Sequence, residues 1–520
     1  MNLLESKKTS KASEKWLKNF SKNFSKIDWD VQEAPCNNHN FPFFNEGIID
    51  MKKDYGFGVK WQIYGNIKGH GFFYTDVKDL VRVGEKLLEY FKKPSRRKEV
   101  IHDLEKLQVK MDDFFSKCNF KVIRSLNKKD LEILYRDLLE IFFIYYRKAM
   151  FFEPLDSVMD KDFQKFYASL HKNQRKNFIN LTLPHKIGFV QKEQLSLLKI
   201  ARTLKRKKIN SFLLKDNINY FIKKVKNIDI SLYKLLKGHR NNYVWLRGGY
   251  LNTPKLSYLD IVERLKDAIK KGQINKEIRR LENYKRTTDQ TKKKIRKTVK
   301  ASSRIKYFCK LIDEFSYLHD ERKEYVLKWC YFCHEVLKEI AKRFKISFND
   351  LQFSLFQEVL DLFKGKKIDQ TRLKNRFSSF LFFKTNSKRL TLFGKGAKIF
   401  WKNKLSKKEN KKTIIHGICG ALGKVQGRAS IIINVKDFSK FKQGEVLVTT
   451  MTRPEFAPLM KKAVAVVTDQ GGITCHAAII TRELGIPCIV GTKDASMVLK
   501  DGDLVEVNAN HGVIKVIKRK

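Results

Sequence analysis

The chain has 520 residues, enough for roughly two to four domains and a large buried core, which excludes a small module held together by disulfides or a metal. Apolar residues make up 42% and aromatics 12%, so folding can offset its ordering entropy despite a 31% charged fraction, and global disorder is excluded. Lys and Arg number 108 against 55 Asp and Glu, a net charge of +53. That excess invites a polyanion partner, but lysine filling solvated positions is the preferred reading, because net charge speaks to solubility and non-specific contact.

In chain order, MNLLESKKTSKASEKW lacks the apolar stretch and small-residue cleavage site of a signal peptide. A helical start is expected from Ser13 to Phe24. GVKWQIYGNIKGHGFFYTD, Gly58 to Asp76, alternates like two strands about a glycine turn. Neither GxGxxG nor GxxxxGK[ST] occurs in it, so a hairpin is preferred to a phosphate loop.

From Val77 to about Phe380 the period is helical, with Leu131, Leu134, Leu138, Ile141, Phe142 and Tyr145 on one stripe and a second such stripe in Lys306 to Phe344. The run LLEIFFIYYRKAMFF from Leu138 is interrupted by Glu140, Arg147 and Lys148, too often for a membrane span. Lys266 to Lys310 is strongly basic and peaks at KKKIRKTVK. Few aromatics interleave there for base stacking, so it reads as a solvated helix face or a dock for an acidic partner.

CYFCH, Cys330 to His334, has the form of a haem attachment site. Yet Val326, Trp329, Cys330, Cys333, Val336, Leu337 and Ile340 trace one helical stripe, which favours buried structural cysteines. Eight scattered cysteines suit reduced thiols, and the expectation is a soluble cytoplasmic protein with no metal site of its own. RLTLF and AKIFW flank Gly394-Lys395-Gly396 and are expected to form a second hairpin, followed by a basic linker from Lys402 to Lys412.

From Thr413 the composition changes. Thr413 to Lys520 holds 15 basic and 9 acidic residues, a net of +6, leaving +47 before it. VQGRASIIIN, GEVLVTT, AVAVVT, PCIVG, DLVEVN and GVIKVI read as strands. The clear helix in this part lies in GGITCHAAIITRELGIP, Gly471 to Pro487.

Gly471-Gly472 permits a tight turn after the strand AVAVVTDQ. Thr474 suits the N-cap, which places Cys475, His476 and Ala477 in the first turn, while Gly485 and Pro487 end the helix. Such a start gathers backbone N–H donors and the positive end of the helix dipole, so it favours an anion. The same field should lower the imidazole pKa below ~6.5 and keep His476 neutral and nucleophilic. A phosphoryl group taken by the ring would then sit where an anion is most stable. A histidine merely packed at a helix start remains the alternative on these local features. Arg482 falls about 120° round the helix from His476, which points to a structural role rather than a phosphate clamp.

TDQGGITCHAAIITRELGIPCIVG, with GEVLVTTMTRPEF before it and DGDLVEVNANHGVIKV after it, resembles the mobile phosphohistidine domain of the phosphoenolpyruvate-utilising enzymes, over about Ile414 to Ile517. That family includes phosphoenolpyruvate synthase, pyruvate phosphate dikinase and rifampicin phosphotransferase. The resemblance implies that His476 is phosphorylated, on a small β/β/α domain that swivels between two active sites. It also implies that Thr474 matches a regulatory phosphorylation position. In the family an ATP-grasp domain, using Mg²⁺, loads the histidine with a phosphoryl group, and a second site transfers that group to or from pyruvate or another acceptor. Neither an ATP-grasp pattern nor the pyruvate-binding barrel is recognised here. The run LIDEFSYLHDERKEYVLKWCYFCHEVLKEIAKRFKISFNDLQFSLFQEV resembles the helical acceptor-binding region of rifampicin phosphotransferase.

The expected architecture is therefore multidomain. A mainly α-helical region over 1–383 binds an acceptor or partner, 384–412 form a hairpin and basic linker, and 413–520 form a C-terminal β/β/α swivelling phosphohistidine domain. The expected function is that of a phosphotransferase or phosphoryl carrier acting through His476, with Gly471, Gly472, Thr474 and Cys475 supporting the phosphate at the helix start. No motif for a resident cofactor is recognised. Mg²⁺ with ATP or phosphoenolpyruvate is expected on a separate ATP-grasp protein, alongside an unknown small-molecule acceptor and without a membrane. The alternative from a different class is a non-catalytic protein whose basic helices bind nucleic acid or an acidic partner.

Overall fold

The computed structural model describes residues 27, 29–39, 41–118, 120–209, 218–385, 389–398, 400, 412–433, 435–452, 456–472 and 475–520. The helical start at Ser13 to Phe24, Trp401 and all of the linker except Lys412 lie outside these residues. Two units are distinguished: Met1–Ala168 with Gly249–Asn252 and Trp329–Lys520, and Ser169–Gly248 with Thr253–Lys328.

The first unit contains two sheets. The smaller has five antiparallel strands, β1 (Trp29–Pro35), β2 (Trp61–Ile67), β3 (His70–Asp76), β4 (Phe380–Thr385) and β5 (Arg389–Phe393), in the order β1-β3-β2-β4-β5. β2 and β3 turn through Lys68 and Gly69, both at positive φ (50° and 82°), the geometry that matches strand twist in a two-residue hairpin. Alternation sorts the sheet's faces. Val31, Ile63, Tyr74, Leu381, Phe383, Leu390 and Leu392 share one face and pack with Ala397 and Phe400.

The opposite face is mixed, with Tyr64, Phe73, Phe380 and Phe382 beside a polar group at one end. The register aligns Asp30 with Thr75, Gln62 with Lys384 and Lys384 with Arg389, and Gln62 donates to Thr75 at 2.9 Å. Helix Phe41–Asp50 sets two carboxylates against this face. Lys384, 4% exposed, reaches Asp50 at 2.9 Å and Glu46 at 3.7 Å, and Arg389 reaches Glu46 at 3.1 Å. Burial pushes the Glu46 carboxyl up and the Lys384 ammonium down.

Three features differ from the sequence reading. The region before residue 383 is mainly helical and its hairpin at 58–76 forms as β2 and β3, but β1 and β4 join that hairpin in a sheet that the sequence reading does not contain. β4 also runs across the expected boundary at 383/384. The buried run FLFF has no alternation, and a buried strand cannot be told from a buried helix by period. Finally, β5 pairs with β4 rather than with the residues after Gly394. Lys395–Lys398 form a helical turn and Ala397 enters the core, so the expected hairpin at 389–401 is absent from the described residues.

Helix Val77–Phe91 begins on an Asp76 cap, whose carboxylate accepts the Lys78 N–H, and its Gly84 meets the Phe152–Ser169 helix closely. A Cβ at Gly84 would lie 2.2 Å from the Pro154 carbonyl oxygen. Gly84→Ala is therefore expected to destabilise by about 1–3 kcal/mol through overpacking, despite alanine's better helix propensity. An unchanged denaturant midpoint would contradict this contact.

The larger sheet has eight strands: β6 (Ile414–His416), β7 (Ile418–Ala421), β8 (Lys424–Ile431), β9 (Val446–Thr449), β10 (Ala465–Thr468), β11 (Cys488–Val490), β12 (Leu504–Asn508) and β13 (Val513–Lys518). Their order is β6-β13-β12-β8-β9-β10-β11-β7. β8, β9, β10 and β11 are parallel neighbours and the other pairings are antiparallel. β9, β10 and β11 are buried at every position, as expected for strands covered on both faces.

The second unit is helical. Leu197, Ala201, Leu204, Phe221, Leu232, Leu236, Ile261, Leu265 and Ile278 are among the residues of its core. Asp229 and Ser257 cap two of its helices, Ile230–Asn242 and Tyr258–Lys271. Ser196 Oγ lies 2.9 Å from His239 Nδ1, and His239 Nε2 lies 3.0 Å from Glu193. The chain of groups imitates a hydrolytic triad. Ser196, however, lies inside helix Phe189–Arg206, where backbone N–H groups are committed to the helix and cannot form an oxyanion hole. Arg264 also clamps Glu193 through both oxygens. Burial opposes ionisation of Glu193, yet His239 and Arg264 hold its carboxyl below the ordinary value, so this is a satisfied structural network.

Candidate functional site

The site is built at the end of β10. Thr468 Oγ1 donates to the Gln470 carbonyl at 2.7 Å, and Asp469 accepts from the Thr492 hydroxyl at 3.1 Å and the Ser496 N–H at 3.0 Å, tying the turn to the loop after β11. Gly471 adopts φ +100°, a conformation closed to most side chains, and a Cβ there would lie 2.8 Å from Cys475 Sγ. Two constraints, angle and space, thus require glycine.

The helix after the turn spans His476–Leu484, with Cys475 as its N-cap at φ −71° and ψ 163°. It starts one residue later than sequence suggests. Thr474, expected as the cap, lies outside the described residues. His476 consequently takes the first helical position, where backbone N–H groups of the opening turn point towards the helix start. Ala477 and Ala478 are buried and pack the helix on the sheet. Thr481 turns back to the Ala477 carbonyl at 2.7 Å, and Gly485 at φ +68° ends the helix.

His476 is buried, 5% exposed as a residue. Thr452 Oγ1 lies 2.9 Å from its Nδ1, which fixes the ring and distinguishes its two nitrogens. Nothing in the spacing of the sequence singles out Thr452, 24 positions upstream on the loop after β9. The structure thus brings Gly471, Gly472, Cys475 and His476 together and adds this threonine. Arg482 Nε donates to the Gly420 carbonyl at 2.6 Å, which joins the helix to β7.

The other chemical motifs are absorbed by packing. Cys330 and Cys333 are wholly buried, and burial pushes both thiols up, away from thiolate chemistry. His334 is held at about 3 chiefly by burial, and Asn37 Nδ2 lies 2.9 Å from its Nε2. In the basic stretch, Lys292 is 2% exposed at its side chain and pairs with Asp313 at 2.6 Å, while Arg296 pairs with the same carboxylate. Burial lowers the Lys292 ammonium, so the peak of the basic run spends two charges on an internal ion pair. Among the described residues no group of three or more His, Cys, Asp or Glu is placed to hold a metal ion. No helix among them is long and apolar enough to cross a membrane.

A mixed sheet that delivers a histidine through a glycine turn to the start of a helix defines an α/β domain with an anion-favouring end. Residues 441–512 match the family "PEP-utilising enzyme, mobile domain", and the C-terminal part of the chain is such a domain. Over 110 residues, 21% of this chain, it is 46% identical to a probable phosphoenolpyruvate synthase of Archaeoglobus fulgidus. Identity is 47% over 106 residues to phosphoenolpyruvate synthase of Pyrococcus furiosus, covering 20% of this chain, and 52% over 87 residues to that of a Synechocystis species, covering 17%. The matches span only 15%, 13% and 11% of those relatives' lengths.

Proposed function

We propose that the protein is a phosphotransferase or phosphoryl carrier whose intermediate is a phosphohistidine at His476. One observation carries the reading: His476 occupies the first position of its helix with Nδ1 set 2.9 Å from the Thr452 hydroxyl. In this reading Nδ1–H donates to Thr452 Oγ1, and the lone pair of Nε2 attacks phosphorus. The N–P bond forms as the bond to the donor's leaving group breaks. The helix start then stabilises the phosphoryl oxygens through its N–H groups and dipole. Splitting the transfer into two displacements lets one ring serve a donor and an acceptor in turn.

The donor is ATP or phosphoenolpyruvate, bound with Mg²⁺ by a separate ATP-grasp protein, and the acceptor is a small molecule. Names of relatives in which this domain recurs, together with the position of the ring, support phosphoryl transfer through His476; the separate ATP-grasp protein and the acceptor are part of the proposal. Thr452→Val keeps the shape and removes the hydroxyl. It is expected to slow phosphorylation of His476 about tenfold, the worth of one hydrogen bond that orients the nucleophile. The measurement is the rate at which labelled ATP or phosphoenolpyruvate, with the ATP-grasp partner, places acid-labile, base-stable phosphate on the protein. Equal rates would remove Thr452 from the mechanism, and absence of label in the wild type would overturn the reading.

A further inference from the structure

The turn that carries the ring is engaged by the N-terminal part of its own unit. Gln470 Nε2 donates to the Val31 carbonyl at 2.9 Å. β1 is the edge strand of its sheet, and an edge presents backbone groups with no ladder partner on one side. Gly472 is buried and lies on the carboxylate of Asp160, from helix Phe152–Ser169. A Cβ at Gly472 would stand 1.6 Å from Asp160 Oδ2, 2.2 Å from Cγ and 2.3 Å from Oδ1, so the carboxylate fills the space a side chain would need. Glycine here serves close approach, a requirement separate from the backbone angle at Gly471.

The charge of that neighbour matters. A carboxylate is welcome beside the turn into a helix start, because the helix field favours an anion there. A phosphoryl group on His476 brings about −1.5 to −2 charges to the same helix start. Two anions then flank one short stretch of chain, Asp160 beside Gly472 and the phosphoryl group on His476 four positions on, and partial burial screens like charges poorly.

Resting on the phosphohistidine reading, we infer that the Val31 and Asp160 surface is the docking site of the unphosphorylated carrier, and that phosphorylation of His476 releases the carrier through repulsion by Asp160. The empty carrier returns to this surface and the loaded one leaves it. Asp160 acts through the docking contact and takes no part in the N–P bond chemistry.

The test uses phosphoramidate, which is itself the phosphoryl donor to imidazole nitrogen, loses ammonia as the new N–P bond forms, and needs no partner protein. Hydrogen exchange is followed by mass spectrometry in peptides from β1 and helix Phe152–Ser169, and tandem mass spectrometry locates the phosphate on the protein. Wild-type protein phosphorylated at His476 is expected to exchange about tenfold faster in both segments than unphosphorylated protein. Asp160→Asn, equally phosphorylated, is expected to lose most of that difference, and His476→Ala treated with phosphoramidate to show none. Phosphate on His476 with unchanged exchange in the wild type overturns the inference and leaves the carrier reading standing. An equal acceleration in Asp160→Asn overturns the role of Asp160. A His476 that phosphoramidate leaves unmodified counts against the carrier reading, and the inference falls with it.

Discussion

Replacing His476 with alanine is expected to abolish every trace of acid-labile, base-stable phosphate on the protein. It should lower any phosphotransferase rate by several orders of magnitude, because the group that forms the covalent intermediate has no substitute. The fold should survive. The apolar core beside the helix is built from residues such as Leu447, Val466, Ala477, Ala478 and Val490 rather than from His476, and the helix start tolerates alanine at its first position. The check is labelling alongside a denaturation curve. A variant that still takes label, with the phosphate mapped elsewhere, would move the intermediate to another residue.

The second large effect concerns acid. His39 and His334 are both held at about 3, chiefly by burial, and for His39 the nearby His334 contributes next. Each is buried in the first unit. Tyr135 Oη is 2.9 Å from His39 Nε2, and Asn37 Nδ2 is 2.9 Å from His334 Nε2. In the unfolded chain both imidazoles bind protons near ~6.5, whereas in the folded chain they stay neutral until about 3. Between those values the unfolded state holds more protons, so stability is complete above ~6.5 and falls as pH drops. The slope is about 1.4 kcal/mol per pH unit for each histidine, or roughly 2 kcal/mol each by pH 5. Urea midpoints at pH 7 and pH 5 should show His39→Gln and His334→Gln each less sensitive to acid than the wild type by about that amount. Equal sensitivity would contradict the neutral buried state.

The site was legible because it is local. The glycine pair, the histidine, the alanines and the closing Gly-Ile-Pro lie within seventeen residues, so angle, access and helix start can be argued from neighbours in the chain. Thr452 was not legible, since its link to His476 exists only after β9 and β10 pair in parallel and bring their following loops together. The helix start lies one residue beyond the expected one, with Cys475 at the cap and no side-chain hydrogen bond from it, so residue preference for the cap does not locate the start.

The smaller sheet shows the same limit at greater range. β2 and β4 are joined through residues far apart in sequence, and Lys384 meets Asp50 across 334 positions. Loop closure on that scale leaves no periodic trace. The buried ions were hidden by composition. In a chain of net charge +53, Lys384 and Lys292 look like any solvated lysine, and only the carboxylates brought against them from other elements reveal that they are internal. The glycines at 394 and 396 suggested a turn between strands, but strand pairing is decided by which neighbour can bury FLFFKT, and β2 and β5 do so.

The most direct measurement is phosphorus NMR, with tandem mass spectrometry, on the wild-type protein after incubation with ATP or phosphoenolpyruvate, Mg²⁺ and the ATP-grasp partner. The expected result is a single phosphohistidine, at Nε2 of His476, with Nδ1 left to Thr452. Phosphate on another residue, on Nδ1 of His476, or on no residue under any of these conditions would contradict the account.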